Sequence, residues 1–370
     1  MITGHGGNVQ ALAAAHNCAI DDIIDMSSNI NPLGPPEGLE EFIARNVSSI
    51  RTLPQPDAAH MTQAFSQYYD IPEERVAGGN GTTFFIYSLP GALSSKRVLI
   101  AGPTYADYRD ACLMHQVPSE FTMAPSSYLF QPDLDAISQR LSKEPAMDTV
   151  MICNPNNPTG NLIPRDDLME LVRRHHGVFF IIDESYLPFL PDAEKLSLVP
   201  LTSLPNLIVL ASMSKIFRIP GLRTGFLCAA PSVVEKIMAF YQPWSVNSLA
   251  QDAIVHILKN PGIIDPFLER TRLFIKNERE IFLGEFENNE KCRQRDNLPL
   301  KWYPSHTCFL LARLTGSMNS REAVREVGKE RILIRDCANF QGLSDQFIRI
   351  SLRSRKDNLL LADILKKIIV

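Results

Sequence analysis

The stretch Ala211-Ser-Met-Ser-Lys215-Ile-Phe-Arg-Ile-Pro220-Gly-Leu-Arg223-Thr-Gly-Phe226 decides how the chain is read. It follows the short apolar run Leu207-Ile-Val-Leu210, which reads as a buried strand. The lysine is therefore carried at a strand end, where loops build sites in α/β proteins. Ser212 and Ser214 bring hydroxyls just before it, and Arg223 follows eight residues on. Such a set can hold a phosphate beside a reactive amine, which points to a small molecule bearing both an aldehyde and a phosphate.

Composition frames that reading. The chain has 370 residues, 45% hydrophobic and 21% charged, with a formal net charge of -4, which fits a soluble globular enzyme of roughly two domains. With 37 basic against 41 acidic residues and no basic cluster, nothing marks a nucleic-acid or membrane-surface binder. The expected partners are small molecules and copies of the same chain. Seven cysteines (Cys18, Cys112, Cys153, Cys228, Cys292, Cys308, Cys337) include no C-x-x-C pair, and the odd count speaks against a secreted disulfide framework. The opening residues lack a basic region with a long apolar core, and no apolar run approaches the ~20 residues of a membrane span. A cytoplasmic location is the expectation.

Short apolar runs alternate with helical periodicity along the middle of the chain. Strands are expected at Val98 to Ala101, Val150 to Cys153, Val178 to Ile182, Leu207 to Leu210 and Gly225 to Ala229, with amphipathic stretches such as Asp133 to Leu141 and Arg165 to Arg174 between them. This is the rhythm of a mainly parallel, helix-covered α/β sheet. After about Asn260 the pattern changes to a long charged helix, roughly Phe267 to Phe286. Two strand-like runs near Cys308 to Leu311 and Phe347 to Leu352 follow, then a last helix. The expected organisation is an arm with one helix over 1–50, joining part of a small domain, a large domain over 51–262 and a small α+β domain over 263–370.

Other strand ends carry groups that suit such a cofactor. Asp183 closes the run Val178-Phe-Phe-Ile-Ile-Asp183, and a buried carboxylate without a cationic partner is costly. A pyridinium nitrogen would be such a partner; a helix cap or a structural ion pair would serve as well. Asn157, in Asn154-Pro-Asn-Asn157-Pro158-Thr159-Gly160, is held in a loop stiffened by two prolines, where its amide could meet a phenolic oxygen, with Tyr186 as a second donor. The same residues are ordinary turn signals. Gly78-Gly79-Asn80-Gly81-Thr82-Thr83 precedes the helix-like run Phe84 to Leu93, so the N–H groups of Gly81, Thr82 and Thr83 would point at an anion. It is not a dinucleotide fingerprint, because Phe84 stands where the third glycine would fall and no clear strand runs into it. Tyr105, in Gly102-Pro103-Thr104-Tyr105-Ala106-Asp107-Tyr108, could lie on an aromatic ring or belong to the core. The eight histidines show no metal-ligand spacing, and no metal is expected.

Taken in order, these segments resemble the fold-type I pyridoxal-phosphate enzymes, in the branch of the histidinol-phosphate aminotransferases, over essentially the whole chain. The resemblance implies a large domain with a mainly parallel seven-stranded sheet, a smaller α+β domain and pyridoxal 5'-phosphate as cofactor. It makes Lys215 the Schiff-base lysine, Asp183 the partner of the ring nitrogen, and Asn157 and Tyr186 the partners of the ring hydroxyl. Gly81, Thr82, Thr83, Ser212, Ser214 and Arg223 would surround the phosphate, with Tyr105 stacked on the ring.

Within that branch the chain is most similar to the threonine-phosphate decarboxylases. The segments that carry this are His5-Gly6-Gly7-Asn8, Ser28-Asn29-Ile30-Asn31-Pro32-Leu33-Gly34, Gln242-Pro-Trp-Ser-Val-Asn247 and Ile332-Leu-Ile-Arg335-Asp-Cys-Ala-Asn-Phe340. The His-Gly-Gly opening sets them apart from the aminotransferases. The resemblance implies that His5, Gly6, Asn29, Asn157, Arg335 and Arg349 bind a phosphorylated amino acid, phosphothreonine or phosphoserine. On strands, an arginine among apolar residues marks either a solvated face or a planar anion clamp, and two of them favour the clamp. It further implies a homodimer whose site is shared between subunits. One departure stands out: where the family carries Arg-Tyr-Pro, with the tyrosine reaching the neighbouring subunit's phosphate, this chain has Thr52-Leu53-Pro54.

Overall fold

The computed structural model describes residues 6–287 and 300–368, so His5 and Cys292 lie outside the described residues. Its strands are β1 (Ile24–Asp25), β2 (Val76–Asn80), β3 (Val98–Gly102), β4 (Ser119–Met123), β5 (Thr149–Cys153), β6 (Phe179–Asp183), β7 (Leu207–Ser212), β8 (Thr224–Ala229), β9 (Leu300–Trp302), β10 (Phe309–Leu314), β11 (Ile332–Leu333), β12 (Arg335–Asp336) and β13 (Phe347–Ser351).

Seven of these form one sheet in the order β2-β8-β7-β6-β5-β3-β4. The strands from β7 across to β4 run parallel, and β8 pairs antiparallel with both β7 and β2. Every residue of β3, β5, β7 and β8 is buried, which is why these segments read as continuous apolar runs and not as alternating ones. From β3 the chain steps outward to β4 and then back across β3 to β5, so the order reverses between β3 and β5. Ligand crevices open beside the carboxyl ends of strands at such a reversal. Gly102, Cys153, Asp183 and Ser212 are the final residues of β3, β5, β6 and β7, and they line up on that edge.

Two strands of this sheet escape the sequence reading. A strand does run into the glycine-rich loop: Val76–Asn80 pairs with β8 in the register Gly79↔Gly225, correcting the expectation that none does. Glycines replace the β-branched residues that would signal it. Their absence of side chains is used, since a Cβ on Gly78 would come within 2.8 Å of Met61 Cε and one on Gly79 within 2.7 Å of Phe85 Cζ. β4 is a half-exposed edge strand without a clean alternation. The long charged helix begins at Pro261 and runs to Glu287, longer than expected, with proline pre-shaped for the first helical position.

The described residues 6–50 contain two α-helices where one helix was expected over 1–50, Val9–His16 and Leu39–Arg45. His16 and Asn17 mark the end of the first: Asn8 caps its start through Ala11 N–H, and Asn17 takes the left-handed φ of 49° at its end. β1 then pairs parallel with β11, while β12-β13-β10-β9 form a separate antiparallel sheet. The segment Ser27–Asn31 joins that sheet to the lysine loop. Arg353 Nη2 donates to Ser28 O at 2.7 Å, Asn31 N–H donates to Lys215 O at 3.0 Å, and Asn31 Nδ2 donates to Ile216 O at 2.8 Å. Among the described residues no helix is long and apolar enough to cross a membrane.

Candidate active site

Lys215 sits in a single helical turn, Met213–Ile216, that leaves the end of β7. Two clefts meet at it. The first, of about 560 Å³, is lined by Gly81, Thr82, Thr83, Tyr105, Asn157, Asp183, Tyr186, Ser212, Ser214, Lys215 and Arg223. Every cofactor residue expected from the sequence is thus gathered in one place. The Lys215 amine is pulled down to about 8, by burial first and then by Arg223 and Arg349, with Asp183 opposing. That leaves a useful fraction of neutral, nucleophilic amine near neutral pH.

Asp183 is buried at the end of β6. Its Oδ1 accepts from Ser185 N–H at 2.9 Å and its Oδ2 from the Tyr108 hydroxyl at 2.9 Å. Burial pushes its carboxyl upward, and the hydrogen bonds from Ser185 and Tyr108, with Lys215, work against that. Asn157 stands in the turn after β5, where Gly160 adopts a φ of 74° and packs so closely that a Cβ would lie 2.0 Å from Ser305 Oγ. Arg349 Nη1 donates to Asn157 Oδ1, which leaves the Nδ2 donors of Asn157 for another acceptor. Tyr186 accepts from Asn29 Nδ2 at 3.4 Å, so its own proton remains available.

Gly81, Thr82 and Thr83 open the helix Gly81–Ala92. Its first N–H groups have no partner within the helix and are suited to an anion. Gly81 has a φ of 74°, and a Cβ there would meet Arg223 Nη2 at 2.7 Å, so only glycine lets the guanidinium close over the helix end. Arg223 itself takes a left-handed φ of 59° and donates to Thr83 Oγ1 at 3.4 Å. Ser214 lines the cleft, but its hydroxyl proton goes to Thr224 O at 3.0 Å, so it ties the lysine turn to β8 and has no donor left for a phosphate.

The second cleft, of about 590 Å³, shares Tyr105, Asn157, Tyr186 and Lys215 with the first and adds Gly6, Asn29, Arg335 and Arg349. Asn29 Oδ1 accepts from Ser351 Oγ at 2.8 Å. Gly6 lies against Ser27, where a Cβ would come within 2.8 Å of the carbonyl oxygen. Arg335 and Arg349 are cross-strand partners on β12 and β13, 8% and 5% exposed. Their hydrogen bonds are to neutral groups: Arg335 Nη2 donates to Asn339 Oδ1 at 2.6 Å, and Arg349 Nη2 donates to Ser27 O at 2.7 Å. Arg349 Nε is buried without a hydrogen-bond partner. Leu53 lies in neither cleft; it is 75% exposed and lines a separate surface groove with Phe42 and Pro54.

Sequence reading missed Tyr108, Ser185 and Asn339. Tyr108, the second residue of the helix Asp107–Met114, follows Tyr105 by three residues, and the two rings meet edge-on. That spacing was the available signal for it. Asn339 had none beyond its nearness to Arg335.

The donor set fits pyridoxal phosphate. A helix N-terminus and an arginine suit the phosphate, a buried carboxylate suits a ring nitrogen, two polar side chains suit the ring hydroxyl, and an amine of lowered proton affinity suits the aldehyde.

The comparisons with known proteins agree. The family model Aminotransferase class I and II matches residues 21–366. A threonine-phosphate decarboxylase of Salmonella typhimurium is 30% identical over 96% of this chain and 94% of its own length. A histidinol-phosphate aminotransferase of Methanococcus aeolicus is 26% identical over 98% and 95%. An adenosylcobalamin biosynthesis bifunctional protein, CobDQ of Leptospira interrogans, is 29% identical over 96% of this chain, which spans only 40% of that protein. Among solved structures, a histidinol-phosphate aminotransferase from Clostridium acetobutylicum superposes with a TM-score of 0.82 at 28% identity, covering 94% and 99% of the two chains. An L-threonine-O-3-phosphate decarboxylase from Porphyromonas gingivalis gives 0.80 at 28%, with the same coverage. A histidinol-phosphate aminotransferase from Sinorhizobium meliloti, in complex with pyridoxal-5'-phosphate, shares the fold with a TM-score of 0.81 at 18% identity, over 97% and 94%. The chain belongs to the class I and II aminotransferase family, with the fold-type I architecture, and is a pyridoxal-phosphate-dependent enzyme.

Proposed function

We propose that the chain decarboxylates L-threonine O-3-phosphate to (R)-1-aminopropan-2-ol O-2-phosphate, a building block of the cobalamin nucleotide loop, and that L-serine O-phosphate is a second substrate. The observation that carries this is the arginine pair. Like charges directly opposite on neighbouring strands repel, and burial adds to the cost. A ligand with two anionic groups a few atoms apart, a carboxylate and a phosphate, relieves both. Arg349 bonds Asn157, which lines the cofactor cleft, whereas Arg335 bonds Asn339, which lines the second cleft alone, so Arg349 is taken as the nearer to the reacting centre. Arg349 would then hold the carboxylate and Arg335 the phosphate, with His5, Gly6 and Asn29 completing the enclosure.

When bound, pyridoxal phosphate supplies an electron sink for the bond broken at Cα. The chain's residues decide which bond that is. Arg335 and Arg349 set the substrate's orientation, and only the Cα bond standing perpendicular to the ring can release its electrons into it. Asp183 would hold a positive charge at the ring nitrogen, and Asn157 and Tyr186 would donate to the ring oxygen. The Lys215 amine, or a water beside it, would return a proton at Cα.

We further infer that two copies pair, since Val47, Ile50, Leu53 and Trp244 expose large apolar surface, each more than half exposed. Leu53 cannot donate the hydrogen bond of the family's tyrosine, so another group of the second copy must do so, or the phosphate is held more weakly.

The histidinol-phosphate aminotransferase relatives favour a second reading, transamination of histidinol phosphate or a related amino compound. The test is to supply the cofactor-loaded enzyme with O-phosphothreonine, O-phosphoserine, or histidinol phosphate plus 2-oxoglutarate. Carbon dioxide release without consumption of a keto acid is expected. Glutamate formed from histidinol phosphate, with no carbon dioxide from either phosphoamino acid, would overturn the decarboxylase reading.

A further inference from the structure

Tyr108 is 1% exposed, and the proton of its hydroxyl goes to Asp183, itself 4% exposed. A buried phenol must find an acceptor, and most take a backbone carbonyl or a water. Here the acceptor is the carboxylate at the floor of the cofactor cleft, which Tyr108 also lines. One oxygen of Asp183 accepts from Tyr108 and the other from Ser185 N–H, with the Ser185 hydroxyl adding support, and a carboxylate so held still has lone-pair capacity for a further donor.

We propose that Tyr108 is a positioning residue for the cofactor, clamping Asp183 so that its carboxylate stays ionised and aimed at the ring nitrogen. Burial alone drives Asp183 towards its neutral form, and the donors from Ser185 and Tyr108 offset that drive. Burial, and then the Asp183 charge, push the Tyr108 hydroxyl well above its ordinary value, so Tyr108 stays the donor and Asp183 the acceptor. The two residues lie 75 positions apart in sequence. Tyr108 stands in the first turn after β3, on the crevice side of the strand-order reversal, and Asp183 ends β6.

Tyr105 adds a second consequence. Its ring meets that of Tyr108 edge-on, with centroids 5.8 Å apart and an interplanar angle of 86°. One short segment therefore carries both the ring that would cover the cofactor and the phenol that holds its nitrogen partner. A shift of this segment moves both contacts together.

The proton between the ring nitrogen and Asp183 is shared, and its position depends on how well the carboxylate anion is supported. Without the Tyr108 donor the anion is less stable, so the proton moves from the ring nitrogen towards Asp183 and the ring becomes a poorer electron sink. This holds whichever Cα bond is broken, and does not rest on the proposed substrate.

The test is Tyr108→Phe, which removes one oxygen and little else, loaded with pyridoxal phosphate labelled with ¹⁵N in the ring. The expected result is a ¹⁵N resonance displaced from the pyridinium position towards that of neutral pyridine, with cofactor Kd raised about tenfold or more. An unchanged resonance and Kd, even with a lower melting temperature, would make Tyr108 a packing residue and overturn the proposal. Site-specific 3-fluorotyrosine at position 108 covers the case in which Tyr108→Phe does not fold. It keeps the hydroxyl and strengthens it as a donor, so the resonance should stay at the pyridinium position with cofactor Kd no weaker, and a resonance displaced towards neutral pyridine or a raised Kd overturns the proposal equally.

Discussion

Arg349 donates from Nη1 to the side-chain oxygen of Asn157, 192 residues away in sequence, and so joins the two clefts that meet at Lys215. An arginine can only donate, so this contact turns the Asn157 Nδ2 group away from it and towards the cofactor cleft. Under the proposed assignment, a substrate carboxylate arriving at Arg349 would compete with Asn157 and be felt at the ring oxygen.

That relationship predicts non-additivity. Asn157→Ala and Arg349→Gln should each weaken substrate binding. The double variant should lose less than the sum, by roughly 0.5 to 3 kcal/mol in a double-mutant cycle on kcat/KM. Strict additivity would show that the two residues act separately.

Arg335 is expected to read the phosphate. Replacing it by Gln should raise KM for O-phosphothreonine roughly tenfold to a hundredfold, the usual cost of losing a hydrogen bond to a charged group, and leave the visible band of the lysine-linked cofactor in place. Loss of that band, or an unchanged KM, would count against the assignment.

The low proton affinity of Lys215 sets the pH dependence of cofactor capture. Only the neutral amine attacks an aldehyde, so the rate at which the apoprotein gains its visible band should rise with pH and level off above about 8, well below the ordinary lysine value of 10.5. Arg349 contributes to the depression, so Arg349→Gln should move the midpoint upward. A rapid-mixing series across pH checks both; a midpoint unmoved in the variant would show that burial and Arg223 account for the shift without Arg349.

Glu184 offers a test in stability. It is buried beside Asp183, accepts from Ser197 Oγ at 2.6 Å and from Leu198 N–H at 2.7 Å, and burial raises it to about 7. The folded protein therefore holds a proton on Glu184 that the unfolded chain releases above the ordinary value of 4.5. Its contribution to stability is full below that value and is lost as pH rises through about 7. Denaturant titrations should show Glu184→Gln gaining on the parent protein between pH 5 and 8, by on the order of 3 kcal/mol at most. Parallel stability curves for the two proteins would refute it.

Much of the architecture was legible because periodicity reports local geometry. Strands buried on both faces are apolar nearly throughout, so the parallel β3, β5, β6 and β7 and the antiparallel β8 announced themselves, and the groups at the ends of the parallel ones could be read as groups at one sheet edge. β2 stayed hidden because two glycines in its middle erase the apolar signal while meeting a packing need that only neighbouring helices create. The helix Val9–His16 was passed over because it is short and carries little of a buried face.

By itself the sequence determined the cofactor chemistry: Asp183 ends a strand that its own residues mark, Asn157, Tyr186 and Lys215 follow such strands closely, and the Gly81–Thr83 turn opens a helix. The tertiary structure alone decided the pairings. That Arg335 faces Arg349 depends on the register of two strands. The Tyr108 bond to Asp183 depends on the crossover that places β3 and β6 on one edge, and the tie from Asn29 to Ser351 spans 322 residues. Such contacts are set by how distant segments pack, which no local pattern of side chains records. Bond choice at Cα is proposed to lie in these contacts.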